Sequence, residues 1–455
     1  MRAEQSRRAG RPGASRSRPA GALRGVLSIA AGTVGGQVLL LAAVPVLARL
    51  YTPADFGVFT VIATLVATVG AVAALRLEMA VPLPAKDREA DALVALGLIC
   101  ALVTGTLGTL AVALAGRPIA DAYDQPALRV WLWLVPWAAA AMGCLLVLNQ
   151  LAVRHRRYAA IGRRNFLQAV ATLAAQVLLG AAGVRAGGLS LGLAAGQVTG
   201  ALMLAPGARL RDPATRAGFR PRRLWRTMRR YRRFPLVLAP SGLVNVLGNQ
   251  LPVLLIAFWY GGTVAGWLGL TQRVLAAPVA LAGTAIAQVY LGELARLARE
   301  APEQARSMFL GASRQLFMIA VPAAVVGVLA APAIFRLVFG AQWASSGAYA
   351  QALAVGVAAQ LVASPLSQTL VVFGRQNLQL AWDTGRVVVV VGAVAGTWLL
   401  GGSALAAVWA FGIAAAVAYT ACWLLSLTTV RAHARAAHGP DAGAATTPTR
   451  DREPV

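Results

Sequence analysis

Arg273 stands inside a long apolar stretch, about nine residues from the nearer end of residues 264–290. In a helix, nine residues rise about 13 Å, so the guanidinium lies too deep to reach water easily. An arginine at mid-bilayer costs several kcal/mol, so it is expected to face the interior of a helix bundle and bind something there. A diphosphate suits it, because a guanidinium keeps its charge and donates paired hydrogen bonds. An interhelical tie is the alternative role.

Amide side chains accompany this arginine along the sequence. Gln272 adjoins it, and the apolar segment 234–259 contains Asn245, Asn249 and Gln250. These amides are predicted to line a polar cavity that binds sugar hydroxyls. Interhelical hydrogen bonds explain them equally well.

Arg386 is a second arginine well inside an apolar segment. Asp383 precedes it by three positions, so the two side chains share one helix face. This spacing favours a structural ion pair, and Arg386 remains a further candidate for substrate binding.

Three more charged residues lie at the ends of apolar segments. Arg76 and Glu78 stand two positions apart at the inner end of segment 56–76, and on a helix they would point to different sides. They are predicted to brace a cytoplasmic gate or neighbouring helices rather than to pair; contact between Arg76 and a substrate head group is the alternative. Arg49, in the first external connection, is a candidate gate or structural residue.

The composition indicates how these side chains are positioned. Of 455 residues, 58% are hydrophobic and only 13% are charged, whereas a soluble chain has about a quarter charged. The chain is therefore predicted to be an all-α polytopic membrane protein. Its apolar segments, each long enough to cross a bilayer as a helix, are residues 25–48, 56–76, 92–115, 130–151, 165–184, 188–206, 234–259, 264–290, 308–332, 347–372, 378–400 and 403–427.

Basic residues define the orientation. Lysine and arginine concentrate in the two termini and in the even-numbered connections, which places both termini in the cytoplasm. The arginine-rich connection also carries Leu224, Met228 and Tyr231 at helical spacing, which predicts an amphipathic helix on anionic lipids. Nucleic-acid binding is disfavoured because topology already explains the charge. The predicted organisation is a disordered cytoplasmic arm 1–24, a first lobe 25–206, a basic linker 207–233, a second lobe 234–427 and a disordered tail 428–455.

Several classes of protein are disfavoured by what the sequence lacks. No phosphate-binding loop of an ATPase is present, and the three cysteines lie in apolar segments as expected of core residues. The first segment has no carboxylate between Val26 and Leu47, where a cation-coupled antiporter needs a titratable group. The external connections are too short for a catalytic platform. The chain is therefore expected to be no enzyme and to need no cofactor or metal.

Several motifs resemble those of one family. They are Ala48-Arg49-Leu50-Tyr51-Thr52-Pro53-Ala54-Asp55-Phe56-Gly57, Leu75-Arg76-Leu77-Glu78-Met79-Ala80-Val81-Pro82-Leu83-Pro84, Tyr231-Arg232-Arg233-Phe234-Pro235, Gln272-Arg273-Val274 and Phe339-Gly340-Ala341-Gln342-Trp343. This pattern, over residues 30–430, resembles the bacterial polysaccharide biosynthesis proteins, the oligosaccharide flippases of the MATE-like exporter superfamily.

The resemblance implies two six-helix lobes in a V that open alternately to either side of the inner membrane. It implies a cargo of undecaprenyl-diphosphate-linked oligosaccharide, carried to the periplasmic leaflet for surface polysaccharides such as O-antigen or exopolysaccharide. The cationic cavity of the family maps onto Arg273, with Arg386 and Arg76, and is one-sided because the first lobe offers no arginine near mid-depth. Polysaccharide assembly proteins are possible partners of the termini. A cation-coupled multidrug antiporter and a membrane polysaccharide polymerase or ligase are the alternative functions.

Overall fold

The computed structural model describes residues 19–208, 219–301 and 304–437, and within these ranges the regular structure is entirely helical. Most of the predicted arm, residues 209–218 of the linker and residues 438–455 of the tail lie outside the described residues. The twelve long helices are α1 Pro19–Ala42, α2 Pro53–Gly70, α3 Asp87–Ala122, α4 Leu134–Arg154, α5 Tyr158–Ala181, α6 Arg185–Leu204, α7 Ala239–Tyr260, α8 Gly262–Glu300, α9 Gln304–Phe339, α10 Ala344–Leu366, α11 Gln376–Leu399 and α12 Ala404–Ala437.

Each long helix corresponds, in order, to one predicted apolar segment. Ten candidate spans among the described residues are long and apolar enough to cross a membrane, and they include all the long helices except α5 and α8. The chain is therefore a multi-pass membrane protein. Pro252 in α7 and Pro322 and Pro332 in α9 stand inside helices, which is tolerated where neighbouring helices satisfy the freed backbone groups.

Two helix boundaries differ from the prediction in ways that affect the site. α5 begins at Tyr158 rather than at residue 165, so Arg163 and Arg164 belong to a helix and not to a connection. α2 ends at Gly70, and Arg76 has a φ of 58°, which is left-handed backbone before a short 3₁₀ turn, Leu77–Ala80. The argument that placed Arg76 and Glu78 on different sides of one helix was wrong for that reason.

Helix packing repeats with a period of six helices. In the first lobe, formed by α1–α6, contacts join α1 to α5, α5 to α6, α4 to α6 and α3 to α4. In the second lobe, formed by α7–α12, the corresponding contacts join α7 to α11, α11 to α12, α10 to α12 and α9 to α10. The predicted pair of six-helix lobes is confirmed, and the repeated pattern shows that the two lobes share one helix arrangement.

The lobes touch through α2 and α8 at the end where the odd-numbered connections lie. An added Cβ on Gly57 would lie 1.9 Å from the carbonyl oxygen of Gly262, and one on Gly266 would lie 1.7 Å from that of Pro53. The indole nitrogen of Trp343 also donates to the carbonyl oxygen of Ala48 at 2.9 Å. Only glycine allows backbones this close, so the contact depends on these positions.

Gly57→Leu is expected to open this end. Overpacking costs about 1–3 kcal/mol, so external labelling of a cysteine placed at Thr60 should accelerate about tenfold. The measurement uses a membrane-impermeant thiol reagent on a chain whose three native cysteines are replaced. Gly396→Leu is the control, because its added Cβ meets nothing within 4 Å. If Gly57→Leu and Gly396→Leu were labelled at the same rate, the contact between α2 and α8 would not be what closes this end.

The basic linker forms a short helix, Pro221–Arg230. Leu224, Met228 and Tyr231 pack against the hydrophobic core of the first lobe, and Arg230 donates to Glu89 of α3 at 3.1 Å. The predicted amphipathic helix is present, but its apolar side faces protein rather than lipid. Trp225, 70% exposed, is the large apolar residue left for a membrane surface.

Candidate functional site

The side chain of Arg273 extends from α8 of the second lobe into the first lobe. Its Nη2 donates to Oε1 of Gln176 on α5 at 3.1 Å, and the guanidinium lies 5.9 Å from the centre of the Phe59 ring. Within the described part of the chain it forms no ion pair. Its Nη1 is buried and has no hydrogen-bond partner in the ranges that the structure describes. One nitrogen of the guanidinium is anchored by Gln176, and another is enclosed with no partner among the described residues.

Gln176 fixes the direction of that arginine. The glutamine is 1% exposed, and its Nε2 donates to the carbonyl oxygen of Leu189 at 3.0 Å. The hydroxyl of Tyr51 donates to the backbone oxygen of Gln176 at 2.6 Å. Because the amide nitrogen is already engaged, the amide oxygen points at Arg273. The position of the cation is thereby fixed by hydrogen bonds from two other parts of the first lobe.

Both side chains face a cavity of about 460 Å³ in the first lobe. Its walls carry threonine hydroxyls, several amides and two arginines. No carboxylate lines it, as far as the described residues show. The lining residues are Thr33, Gly36, Gln37, Leu40, Phe59, Arg164, Asn165, Gln168, Ala169, Thr172, Gln176, Leu193, Gln197 and Arg273. A site of this kind attracts anions and donates hydrogen bonds to uncharged polar groups.

Arg164 is the residue that the sequence analysis missed. It donates from Nη1 to Gln168 at 2.9 Å and from Nη2 to Asn149 at 2.6 Å. The expectation of a one-sided cationic cavity was wrong, because the first lobe contributes this arginine. A signal was present in the sequence: Arg164, Gln168, Thr172 and Gln176 recur at intervals of four, which places them along one helix face.

A second cavity, of about 360 Å³, lies in the second lobe. Gln250, Gln272 and Arg386 line it together with apolar side chains such as Leu353 and Phe411. Of the predicted amides, Asn249, Gln250 and Gln272 line this cavity, and their role in binding sugars stays a prediction. This second cavity is separate from the cavity that contains Arg273.

Arg386 is paired, as its spacing predicted. Its Nη2 lies 3.6 Å from Oδ1 of Asp383, and both residues are buried. Its Nη1 donates to Oδ1 of Asn249 at 2.6 Å, and Asn245 donates to Asp383 at 2.7 Å. Asn245 thus holds the ion pair and is not among the residues that line the cavity. The charge of Arg386 is compensated, whereas that of Arg273 is not.

Arg76, Glu78 and Arg49 lie outside both cavity linings. Nη1 of Arg76 is 3.9 Å from Oε1 of buried Glu78, so the two residues are partners after all. The guanidinium of Arg76 also lies against the α carbon of Gly242. A side chain at position 242 would collide with it. Arg49 is exposed in the last turn of the short helix Val44–Leu50. Over the part of the chain that is described, no three histidine, cysteine or acidic side chains converge as metal ligands.

Comparison with solved structures relates this architecture to known transporters. An inward closed structure of the lipid II flippase MurJ matches with a TM-score of 0.69 and 10% identity, covering 91% of this chain and 90% of that one. An inward-facing multidrug resistance MATE family transporter of the MOP superfamily matches with a TM-score of 0.60 and 18% identity, covering 90% and 96%. At these identities the likeness establishes the V-shaped, two-lobed transporter fold.

Sequence comparison is more specific. The teichuronic acid biosynthesis protein TuaB of Bacillus subtilis is 26% identical over 187 residues, which is 41% of this chain and 38% of that protein. The match thus spans well under half the length of this relative. A family model described as polysaccharide biosynthesis protein matches residues 46–348. The chain belongs to the polysaccharide biosynthesis protein family.

Proposed function

We propose that this protein is a flippase that moves undecaprenyl-diphosphate-linked oligosaccharide from the cytoplasmic to the periplasmic leaflet for surface polysaccharide biosynthesis. The observation that carries the proposal is the uncompensated charge of Arg273 in the first-lobe cavity. A charge-assisted, bidentate bond from guanidinium to phosphate is among the strongest hydrogen-bonded contacts available. Nη1 of Arg273, which has no partner among the residues that the structure describes, is the donor that such a phosphate would occupy.

The amides of the same cavity suit the sugars. Gln37, Asn165 and Gln197 line it, and each side chain offers both donors and acceptors to hydroxyl groups. Oε1 of Gln197 is a buried acceptor with no partner in the described part of the chain, which suits a sugar hydroxyl. The lipid tail remains in the bilayer, where it needs no polar contact. The second-lobe cavity, with Gln250, Gln272 and paired Arg386, is a further place for sugars as the lobes move.

The arrangement supports alternating access. The glycine contacts between α2 and α8 hold the lobes together at the end of the odd-numbered connections, which the charge distribution assigns to the periplasm. Arg164 lies in the second turn of α5, near the cytoplasmic end, and lines the cavity. We therefore infer a state that is closed toward the periplasm and admits cargo through an opening on the cytoplasmic side, with both termini on that side. Arg76 and its partner Glu78 brace this opening.

The basic linker adds a contact with the membrane surface. The exposed face of helix Pro221–Arg230 presents Trp225 and several arginines, which suits anionic lipid head groups. Assembly proteins are further proposed partners for the arginine-rich termini.

The antiporter alternative is less well supported. A cavity that carries cationic drugs needs carboxylates, and the first-lobe cavity presents two guanidinium groups instead. Solved MATE transporters share the fold, but fold alone does not specify cargo.

Transport in proteoliposomes tests the proposed function. The purified chain is expected to expose a lipid-linked oligosaccharide, placed in the inner leaflet, to a glycosidase added outside. The measurement is the rate of sugar release, against liposomes without protein as the control. Uptake of cationic drugs with no exposure of the lipid-linked sugar would overturn the proposal in favour of the antiporter.

A further inference from the structure

The two arginines of the first-lobe cavity are anchored far apart. Arg273 is bonded to Gln176 and Arg164 to Gln168, and both glutamines are on α5. At 1.5 Å of rise per residue these anchors are separated by about 12 Å along the helix. A diphosphate has two phosphorus atoms that share one bridging oxygen, so it reaches only adjacent donors. The spacing of these anchors along α5 exceeds the length that one diphosphate spans.

Both arginines nevertheless have unfilled donors. Among the described residues, neither Nη1 of Arg273 nor Nε of Arg164, both of them buried, has a hydrogen-bond partner. Buried charged donors are costly when they are left unpaired. In the described lining of the cavity there is no carboxylate to compensate either charge. Each guanidinium therefore offers a separate place for an anionic group.

The wall between the two places is suited to sugar. Thr172 stands between Gln168 and Gln176 on the same helix face, and Gln197 faces the same space from α6. These groups donate to and accept from hydroxyls but do not compensate charge. A saccharide lying along this wall would extend from one arginine to the other.

We infer that the cargo carries a second anionic group, a carboxylate on one of its sugars, and that Arg164 binds this carboxylate while Arg273 binds the diphosphate. The inference rests on the proposed function and narrows it to acidic oligosaccharides. A carboxylate fits because its two oxygens match the planar fork of a guanidinium. Arg164 is then a specificity-determining residue.

Binding to the purified full-length chain in nanodiscs tests the inference. Three probes are compared: undecaprenyl diphosphate alone, the same carrier with a neutral disaccharide, and the carrier with a disaccharide that ends in a hexuronic acid. The native chain is expected to bind the acidic probe about tenfold more tightly than the neutral one, a difference of about 1.4 kcal/mol. In Arg164→Gln this ratio should fall to about one, and Arg164→Lys should restore part of it.

Arg163→Gln is the matched control. Arg163 is the neighbouring arginine on α5, is exposed, and lines a small pocket outside the cavity. The Arg163→Gln substitution removes the same charge at nearly the same depth, so the preference for the acidic probe should persist. A loss of the preference in this control would mean that net charge, not Arg164, selects the cargo, and would overturn the inference.

Two further outcomes separate this inference from the proposed function. Equal affinity of the native chain for the acidic and neutral probes would overturn the inference while the flippase function stands. Weakened binding of the bare carrier in Arg164→Gln would place the diphosphate at Arg164 and would also overturn the inference. If the native chain bound none of the three probes, the proposed function itself would be overturned.

Discussion

Arg273→Ala is expected to abolish surface polysaccharide in a strain that depends on this chain for transport, while the variant accumulates in the membrane at nearly the native level. The substitution removes the cation of the first-lobe cavity that is anchored at Gln176. Truncating one partner of a buried charged contact costs about 2–5 kcal/mol, which is at least about thirtyfold in affinity for the anion. Folding is affected less, because among the described residues the guanidinium forms no ion pair and the amide of Gln176 is its hydrogen-bond partner.

Two further variants show whether the loss of polysaccharide is specific to the guanidinium of Arg273. Arg273→Lys keeps the charge but replaces a planar fork by a point donor, so an intermediate amount of polysaccharide is expected. Arg336→Ala removes an exposed arginine from the last turn of α9 and should leave polysaccharide unchanged. The measurements are polysaccharide on whole cells and the amount of chain in isolated membranes. Normal polysaccharide from Arg273→Ala would remove this residue from the mechanism.

The helices were predictable from the sequence because the bilayer imposes their length. A span of about 20 apolar residues is a direct consequence of a hydrocarbon core about 30 Å thick, and all twelve predicted segments are helices. The prediction failed where polar residues face protein instead of lipid. Arg163 and Arg164 were assigned to a connection because hydropathy marks lipid contact, and it underestimates a helix such as α5 that turns a polar face toward a cavity.

The site was only partly predictable. The depth of Arg273 indicated a binding role, but its partner on α5 depends on how the two lobes pack. Gln272 and Arg273 illustrate the difficulty: adjacent helical residues point about 100° apart, and here they face different cavities. The pairing of Asp383 with Arg386 was predictable because both lie on one helix. The left-handed backbone at Arg76 was not, since it breaks a pattern that otherwise continues as a helix.

Loss of either partner of the second-lobe ion pair is expected to damage folding rather than transport chemistry. Asp383 and Arg386 are 9% and 4% exposed, so Asp383→Ala leaves an uncompensated guanidinium and Arg386→Ala an uncompensated carboxylate. Breaking a buried pair from one side costs about 3–5 kcal/mol. The expected results are a lower apparent melting temperature in detergent, read by fluorescence size-exclusion chromatography, and less chain in the membrane.

The matched control is the exposed pair Glu293 and Arg296, which has the same three-residue spacing on α8. Arg296→Ala should cost about 0–1 kcal/mol, because water solvates the carboxylate that remains. The double variant Asp383→Leu with Arg386→Met removes both charges and should regain most of the stability, since a buried pair replaced by apolar groups is often neutral or stabilising. A stable Arg386→Ala chain that fails only in transport would instead place Arg386 beside Arg273 as a cargo-binding residue. The two arginines are thus distinguished by compensation of charge, because Arg386 has a buried carboxylate beside it and Arg273 has none among the described residues.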